Sequence, residues 1–503
     1  MFELTIRAGA QQRTVPAQDG QLVSDLLQQY IPSFALPCAG NHTCGKCRVH
    51  IAGEVEPAGE SEARQLGAQA LAKGIRLACA CRIRGDAVVT LHEAGASKIV
   101  AWYELPDFER TERGCGFAVD IGTTTVAVQL IDRATGAVLA ERLAENAQRG
   151  YGADVISRIE ACKTVGLDVL SDRIAAQIEA MAQECLRESG VTQVEESVVT
   201  GNSTMLHLYE GLDPASLAVV PFDVQSYFGC NSRRTLAGAP VYLPRCVGAY
   251  VGADIICAIL AADLTNGGIQ LLTDIGTNGE MALAGNGKLL CCATAAGPAF
   301  EGAGLSSGMP AAPGAIRAVA ETDGSVTYET VGDQPACGIC GSGILDALSV
   351  MLHREIIDDS GYLENEDGDE DDVWEISDSG VNITQRDVRQ IQLAKSAICA
   401  GLITLLEHEG LSAAEVSRFV IAGGFGNTIN QDSAAEIGLF PAALRRRTSF
   451  IGNGALGGAS MLLSNRGLRA QTEQLAQRAE ELSLSTSAEF MDYYVDCMAF
   501  AQF

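Results

Sequence analysis

The chain has 503 residues, 47% hydrophobic and 19% charged, a globular composition with length for about two to four domains. Its formal net charge of −28 excludes the basic face that nucleic acid or an anionic membrane surface demands, so neither is expected as a partner. The opening "MFELTIRAGAQQRTV" lacks the basic and apolar regions of a secretory signal. The longest apolar run, "AICAGLITLL" at 397–406, falls short of the roughly 20 residues that cross a bilayer, and a cytoplasmic protein is expected. Its seventeen cysteines are then mostly reduced, and single ones in apolar surroundings (Cys162, Cys185, Cys257, Cys399) read as core thiols.

In chain order, "FELTIR" and "RTVPAQ" predict a hairpin, "LVSDLLQQY" a short helix, and "CRVHIAGE" and "DAVVTLHEA" later strands. Among them stands "CAGNHTCGKC" (38–47), spaced C-x5-C-x2-C, with a further cysteine 32 positions on in "RLACACRIRGD". Three thiolates from one tight loop and a fourth from a distant segment is the grammar of a [2Fe–2S] site, whose irons need four soft anionic ligands. Cys38, Cys44 and Cys47 supply the loop, and Ala39, Gly40 and Gly45 let backbone N–H groups approach the sulfurs. The fourth ligand is open between Cys79 and Cys81. "GNHTCGKC" (40–47) nearly matches a phosphate loop, but Cys47 replaces the Mg²⁺-binding hydroxyl and the strand-to-helix context is missing. Zinc ligands usually come as two close pairs, which this is not.

This stretch, residues 1–94, resembles [2Fe–2S] ferredoxins, which implies a β-grasp fold with the cluster loop at the edge of a small sheet. Its five-residue first gap departs from plant-type spacing and is similar to that of vertebrate-type and some bacterial ferredoxins. The "RLAC" context matches that family's last cysteine, so the resemblance makes Cys79 the fourth ligand.

Residues 95–115, ending "SKIVAWYELPDFERTERGC", show no clear periodicity and read as a linker. Next come "GFAVDIGTTTVAVQLID" (116–132) and, far downstream, "IQLLTDIGTNGEMALAG" (269–285), each a strand, Asp-Ile-Gly-Thr and a second strand. Such a hairpin suits phosphate. Gly122 and Gly276 let the backbone turn with N–H groups inward, and Thr123, Thr124, Thr277 and Asn278 add donors. Asp120 and Asp274, at the strand ends, are placed to hold Mg²⁺ through water. "RFVIAGGFGNTIN" (418–430) is a buried strand running into a turn whose Gly423 and Gly424 can lie flat against a purine. "IGNGALGGASMLL" (451–463) has small residues spaced for close helix approach.

These four elements in this order resemble the actin, sugar kinase and Hsp70 (ASKHA) superfamily, which implies duplicated α/β halves hinged over ATP. A first part of that ATPase region is expected over 116–210, with "YGADVISRIEACKTV" as a helix, and the main domain over 211–503. "ITQRDVRQIQLAKSAICAGLITLLEHEG" (383–410) opens with a Thr-x-x-Asp cap and predicts a long helix. The acidic run "ENEDGDEDDVWE" (364–375) lacks Ca²⁺-loop spacing and reads as a solvated loop. The pair Cys337/Cys340 is expected in a turn between halves, not at a thioredoxin-type helix start, and Cys291–Cys292 is read similarly. Glu301, in "GPAFEGAG", is either a polar member of the cleft or a structural turn residue.

Taken with "GYGADVISRI", "GNSTMLHL", "YVGADIICAIL" and "AAGPAFEGAG", the whole chain resembles the reductive activators of corrinoid enzymes. The resulting fold class is an α/β multidomain chain: a β-grasp [2Fe–2S] ferredoxin domain, a linker, then duplicated actin-like ATPase halves. The resemblance implies electron transfer from the cluster to a cobalt(II) corrinoid protein, regenerating cobalt(I) in a methyltransferase system with ATP hydrolysis. It further implies an external low-potential donor of ferredoxin or flavodoxin type and leaves a homodimer open. Relatives with carboxy-terminal [4Fe–4S] clusters are not matched, since "EFMDYYVDCMAFAQF" holds a single cysteine. A cluster of this class sits near roughly −400 mV, each ~59 mV further uphill costs a factor of about ten, and cobalt(I) lies lower still. Competing readings are a small-molecule kinase with a redox-sensing head, an electron carrier with a degenerate nucleotide sensor, and an activator of another low-potential enzyme.

Overall fold

The computed structural model describes residues 2–8, 11–30, 34, 47–91, 101–363, 373–423 and 429–501. These fall into two compact units, 1–98 with 145–177 and 99–144 with 178–503.

In the first unit, strands β1 (Phe2–Ala8) and β2 (Gln11–Ala17) form the expected hairpin, and α1 (Val23–Tyr30) follows. Then come β3 (Arg48–Val55), α2 (Glu60–Ala72), β4 (Ile75–Leu77) and β5 (Ile83–Leu91). The sheet order is β2-β1-β5-β3-β4, with β1 parallel to β5. Alternation places Leu4, Ile6, Val15 and Val89 on the face that buries Val23, Leu26 and Leu27 of α1. This is the β-grasp arrangement. Helix α2 has no counterpart among the expected elements: its apolar stripe is thin and Gly67, at φ 71°, breaks it.

Later residues of this unit open with α3 (Val155–Ala161), capped by a reciprocal Asp154–Ser157 box. The helix predicted there widens to a π-helical turn at Cys162–Gly166 before α4 (Leu167–Ser189).

The second unit is built on two six-stranded sheets of matching plan. The first has β6 (Cys115–Ile121), β7 (Thr125–Asp132), β8 (Val138–Glu145) and β9 (Glu196–Gly201). After α5 (Ser203–Glu210) it gains β10 (Cys230–Leu236) and β11 (Ala239–Leu243), both beyond residue 210, in the order β10-β11-β9-β6-β7-β8. Helix α6 (Ala253–Ala261) follows. The second sheet opens with β12 (Gln270–Ile275), β13 (Gly279–Gly285) and β14 (Lys288–Thr294). A smaller layer of β15 (Ala315–Thr322), β16 (Ser325–Thr330), β17 (Gly338–Ile339) and α7 (Gly341–His353) comes next. Then follow β18 (Val373–Glu375), β19 (Asn382–Thr384) and α8 (Gln385–His408), whose start carries the expected capping box between Thr384 and Asp387. The sheet resumes with β20 (Arg418–Gly423), α9 (Gln431–Glu436) and β21 (Thr448–Gly452). The chain closes with α10 (Gly454–Ser464), α11 (Leu468–Arg478), β22 (Glu480–Glu481) and α12 (Ala488–Asp496). The second sheet runs β21-β20-β12-β13-β14-β22.

The duplication reaches the register. Asp120 and Ile121 pair in parallel with Thr200 and Gly201, as Asp274 and Ile275 pair with Ala422 and Gly423. Helices α6 and α10 share one core with apolar residues of both sheets, among them Ala118, Val198, Leu272 and Val420.

One expectation is corrected. Cys340 is the N-cap of α7, so the Cys337/Cys340 pair does stand at a helix start, delivered there by β17. Its sulfurs take different partners: Cys337 faces Met309 Sδ (3.7 Å), and Cys340 donates to the Ile316 carbonyl (3.4 Å). Cys291 and Cys292, adjacent on β14, point into two different cores, as strand alternation requires. Among the described residues no helix is long and apolar enough to cross a membrane.

Candidate functional site

Two places carry chemistry. In the first unit Cys47 ends the cysteine loop, and its Sγ lies 3.2 Å from that of Cys79, both buried. The turn bearing Cys79 is fixed from three sides: Ala78 N–H donates to the Cys47 carbonyl (2.8 Å), Ser24 N–H to that of Ala78 (3.0 Å), and Leu77 N–H to Glu62 (2.7 Å). Glu62 also grips Arg76 with two bonds of 2.9 Å, a buried fork that locks the strand entering the turn. Cys81 is buried as well, its carbonyl tied to the Val23 N–H at the start of α1, and burial pushes its thiol up to about 11. Cys38 and Cys44 lie outside the described residues. Two soft ligands meeting where a turn is clamped fit the donor set of a [2Fe–2S] cluster.

In the second unit the two Asp-Ile-Gly-Thr hairpins meet. Thr124 Oγ1 and Thr277 Oγ1 are 2.6 Å apart, and Thr277 donates to Glu301 Oε1 (3.1 Å), which places Glu301 in the cleft. Thr123 Oγ1 accepts from Asn202 Nδ2 (3.1 Å), and Asn202 Oδ1 accepts from Met205 N–H at the start of α5 (3.0 Å). Asp120 Oδ2 accepts from Asn453 Nδ2 (2.9 Å). Gly122 is required for a reason other than turning freedom: a β-carbon there would lie 2.6 Å from the Thr125 carbonyl. Gly276 N–H donates to the Asn278 carbonyl (3.2 Å), while the Asn278 side chain is engaged with Glu280. Gly423, at φ 125°, closes β20 against the Ile275 carbonyl, 2.3 Å from where its β-carbon would stand. Gly424 lies outside the described residues.

The carboxylates are crowded. Burial raises Asp120 to about 6, with Asn453 pulling the other way. Asp274 rises to about 8 through burial and then the charges of Asp120, Asp254 and Glu301. Asp254, in the first turn of α6, rises to about 7 through burial and Asp120, and Glu280 is pushed well up by burial, Asp254 and Asp274. Several acids that raise one another form a place for a cation, which restores the ionised state. Among the described residues no three His, Cys, Asp or Glu side chains converge to hold a metal directly. Hydroxyls of two hairpins beside a crowd of buried acids suit a nucleotide's phosphates and their cation.

Sequence reasoning missed Asp254, Glu280, Asn202 and Asn453. Asn202 and Asn453 each follow a strand and cap a helix, a local cap signal that the sequence offered without pointing to the cleft.

Comparison with known proteins gives three family matches: 2Fe-2S iron-sulfur cluster binding domain over residues 6–84, RACo middle region over 115–267, and C-terminal domain of RACo, the ASKHA domain, over 268–503. The chain is 34% identical over 424 residues to the corrinoid activation enzyme RamQ of Eubacterium limosum, covering 78% of this chain and 71% of that one. It is 26% identical over 423 residues to the [Co(II) methylated amine-specific corrinoid protein] reductase of Methanosarcina barkeri, covering 76% of each. A solved structure, a reductive activator for corrinoid, iron-sulfur protein, superposes with TM-score 0.72 at 28% identity, over 99% of this chain and 98% of that one.

Proposed function

Because the chain belongs to the family of reductive activators of corrinoid proteins, we propose that its substrate is a corrinoid protein stalled at cobalt(II), which it returns to cobalt(I). The observation that carries this reading is the junction of two Asp-Ile-Gly-Thr hairpins through Thr124 and Thr277, in a chain that also holds a cysteine-loop domain. The head's [2Fe–2S] cluster supplies a one-electron carrier, held by Cys38, Cys44, Cys47 and Cys79. Thr123, Thr124 and Thr277 bind the phosphates of ATP, with Gly122 and Gly276 shaping the two turns and Asn278 at their edge. Asp120 and Asp274 hold Mg²⁺ through water, and Gly423 and Gly424 border the purine. The electron comes from an external ferredoxin- or flavodoxin-type donor, and the corrinoid protein serves a methyltransferase.

ATP acts on the acceptor. A nucleotide state that binds one corrinoid conformation more tightly than another shifts the cobalt coordination, and with it the potential, by that difference in affinity. The test mixes the reduced protein with a cobalt(II) corrinoid protein and follows cobalt(I) absorbance. Cobalt(I) should form with ATP and hardly at all without it. Equal rates in both arms overturn the role of ATP, and no cobalt(I) in either overturns the function.

A further inference from the structure

The segment expected as a spacer is laid along α10. Thr111 and Glu112 N–H groups both donate to the Ser464 carbonyl at the far end of that helix (3.1 Å each). Tyr103 and Leu105 cover the face left bare by Gly457. Near the helix start, Glu104 N–H donates to the Ile451 carbonyl (3.0 Å) and Tyr103 pairs with Gly452 as one more rung beyond β21. Tyr103 Oη also donates to Gln129 Oε1 on β7 (2.9 Å), and Gln129 returns a bond to the Ala101 carbonyl (3.1 Å). The strap is therefore fastened to a strand of each sheet.

Two of its contacts reach the nucleotide site. Trp102, with Ile421, Gly423, Ile429, Phe450 and Gly452, lines a small cleft at the ends of β20 and β21. Gly452 stands at φ 67°, and a β-carbon there would lie 2.0 Å from the Trp102 carbonyl and 2.1 Å from its ring, so glycine is what admits the tryptophan. The Trp102 carbonyl accepts from Asn453 N–H (2.8 Å). Asn453 then uses its side-chain oxygen to cap α10 at Leu456 N–H (2.7 Å) and its amide to donate to Asp120 (2.9 Å). With its backbone N–H and both ends of its side-chain amide engaged, the side chain has no freedom to release the carboxylate.

We propose that the strap is a working part of the ATP site: Trp102 forms the wall on which adenine rests, and Asn453, held by it, is the positioning residue for Asp120. The proposal rests on the nucleotide reading above. An indole face is a sequence-tolerant platform for a purine ring, and a carboxylate displaced by a fraction of an ångström forfeits much of its catalytic effect.

The experiment uses the full chain, with Trp374→Phe as background, since the chain has two tryptophans and this leaves Trp102 as the fluorophore. Mg-ATP should shift the Trp102 emission with a midpoint matching the KM of hydrolysis. Trp102→Ala should raise KM about ten-fold with kcat held within about two-fold, and Trp102→Phe should recover most of the affinity. Asn453→Ala should lower kcat by about 10- to 100-fold with KM nearly unchanged, a split that general loosening of the fold does not produce. Wild-type turnover with an emission blind to ATP and both alanine variants at wild-type kinetics overturns this inference alone. A wild-type chain that neither binds nor cleaves ATP overturns the nucleotide reading and takes the inference with it.

Discussion

Cys79 and Cys81 are both buried on one short turn, and burial by itself does not choose between them. What separates them is where the sulfurs point: the Cys79 sulfur faces that of Cys47 at 3.2 Å. Cys79→Ala should therefore abolish the visible spectrum of the head, and Cys81→Ala should leave it, as anaerobic reconstitution followed by absorbance will show. The cysteine spacing left both open, and the "RLAC" context named Cys79 only through the resemblance to ferredoxins. What sequence could not supply was Glu62, whose fork to Arg76 and Leu77 holds the turn, because a helix contributes it and that helix had no signal of its own. His207 is a second residue read only from structure. Its Nδ1 lies 2.6 Å from the Ser203 carbonyl, which fixes the proton there, and Nε2 accepts from Ser226 N–H (3.4 Å). Burial lowers its pKa from 6.5, so the unfolded chain binds the extra proton first and stability falls as pH drops below 6.5. Melting temperature should be flat in this contribution above that pH and decline below it, and His207→Gln should flatten the decline.

At the scale of elements, the legible part was what repeats. A strand, Asp-Ile-Gly-Thr and a second strand occur twice, and both copies form antiparallel hairpins with the same register to a third, parallel strand. The long helix was announced by its Thr-x-x-Asp box, and α8 begins there. The Cys337/Cys340 pair misled because glycine-rich flanks signal a turn whether or not a helix follows, and here α7 follows at once. The glycines of "GNGALGGAS" announced close approach without naming the partner. The partner of Gly458 is the backbone of Cys257 on α6: a β-carbon would stand 2.1 Å from its carbonyl oxygen and 2.5 Å from its Cα. A main-chain contact cannot give way as a side-chain tip does. Gly458→Ala should cost about 1–3 kcal/mol by forcing α6 and α10 apart, read as a lower melting temperature of this unit. Because both sheets pack on those helices, ATP turnover should fall with it, while the head's absorbance stays unchanged.

For the whole molecule the question is which partner's energy ATP changes. Cys47 and Cys79 lie in the first compact unit, and Asp120, Thr124, Asp274 and Thr277 in the second. No residue of the hairpin site serves also as a proposed ligand of the cluster. If ATP instead strengthened the donor, the cluster's midpoint would have to fall by about 59 mV for each tenfold gain in electron transfer at equilibrium. The acceptor reading requires no such fall. A redox titration of the purified chain, followed by visible absorbance, should give the same midpoint with and without Mg-ATP to within about 30 mV, half the value of one tenfold step. Asp274→Ala should keep that midpoint and the full spectrum, yet lose ATP turnover and cobalt(I) formation together. A midpoint that moves down by 100 mV or more (about two such steps) on adding Mg-ATP would falsify the acceptor mechanism and place the energy of hydrolysis on the cluster itself.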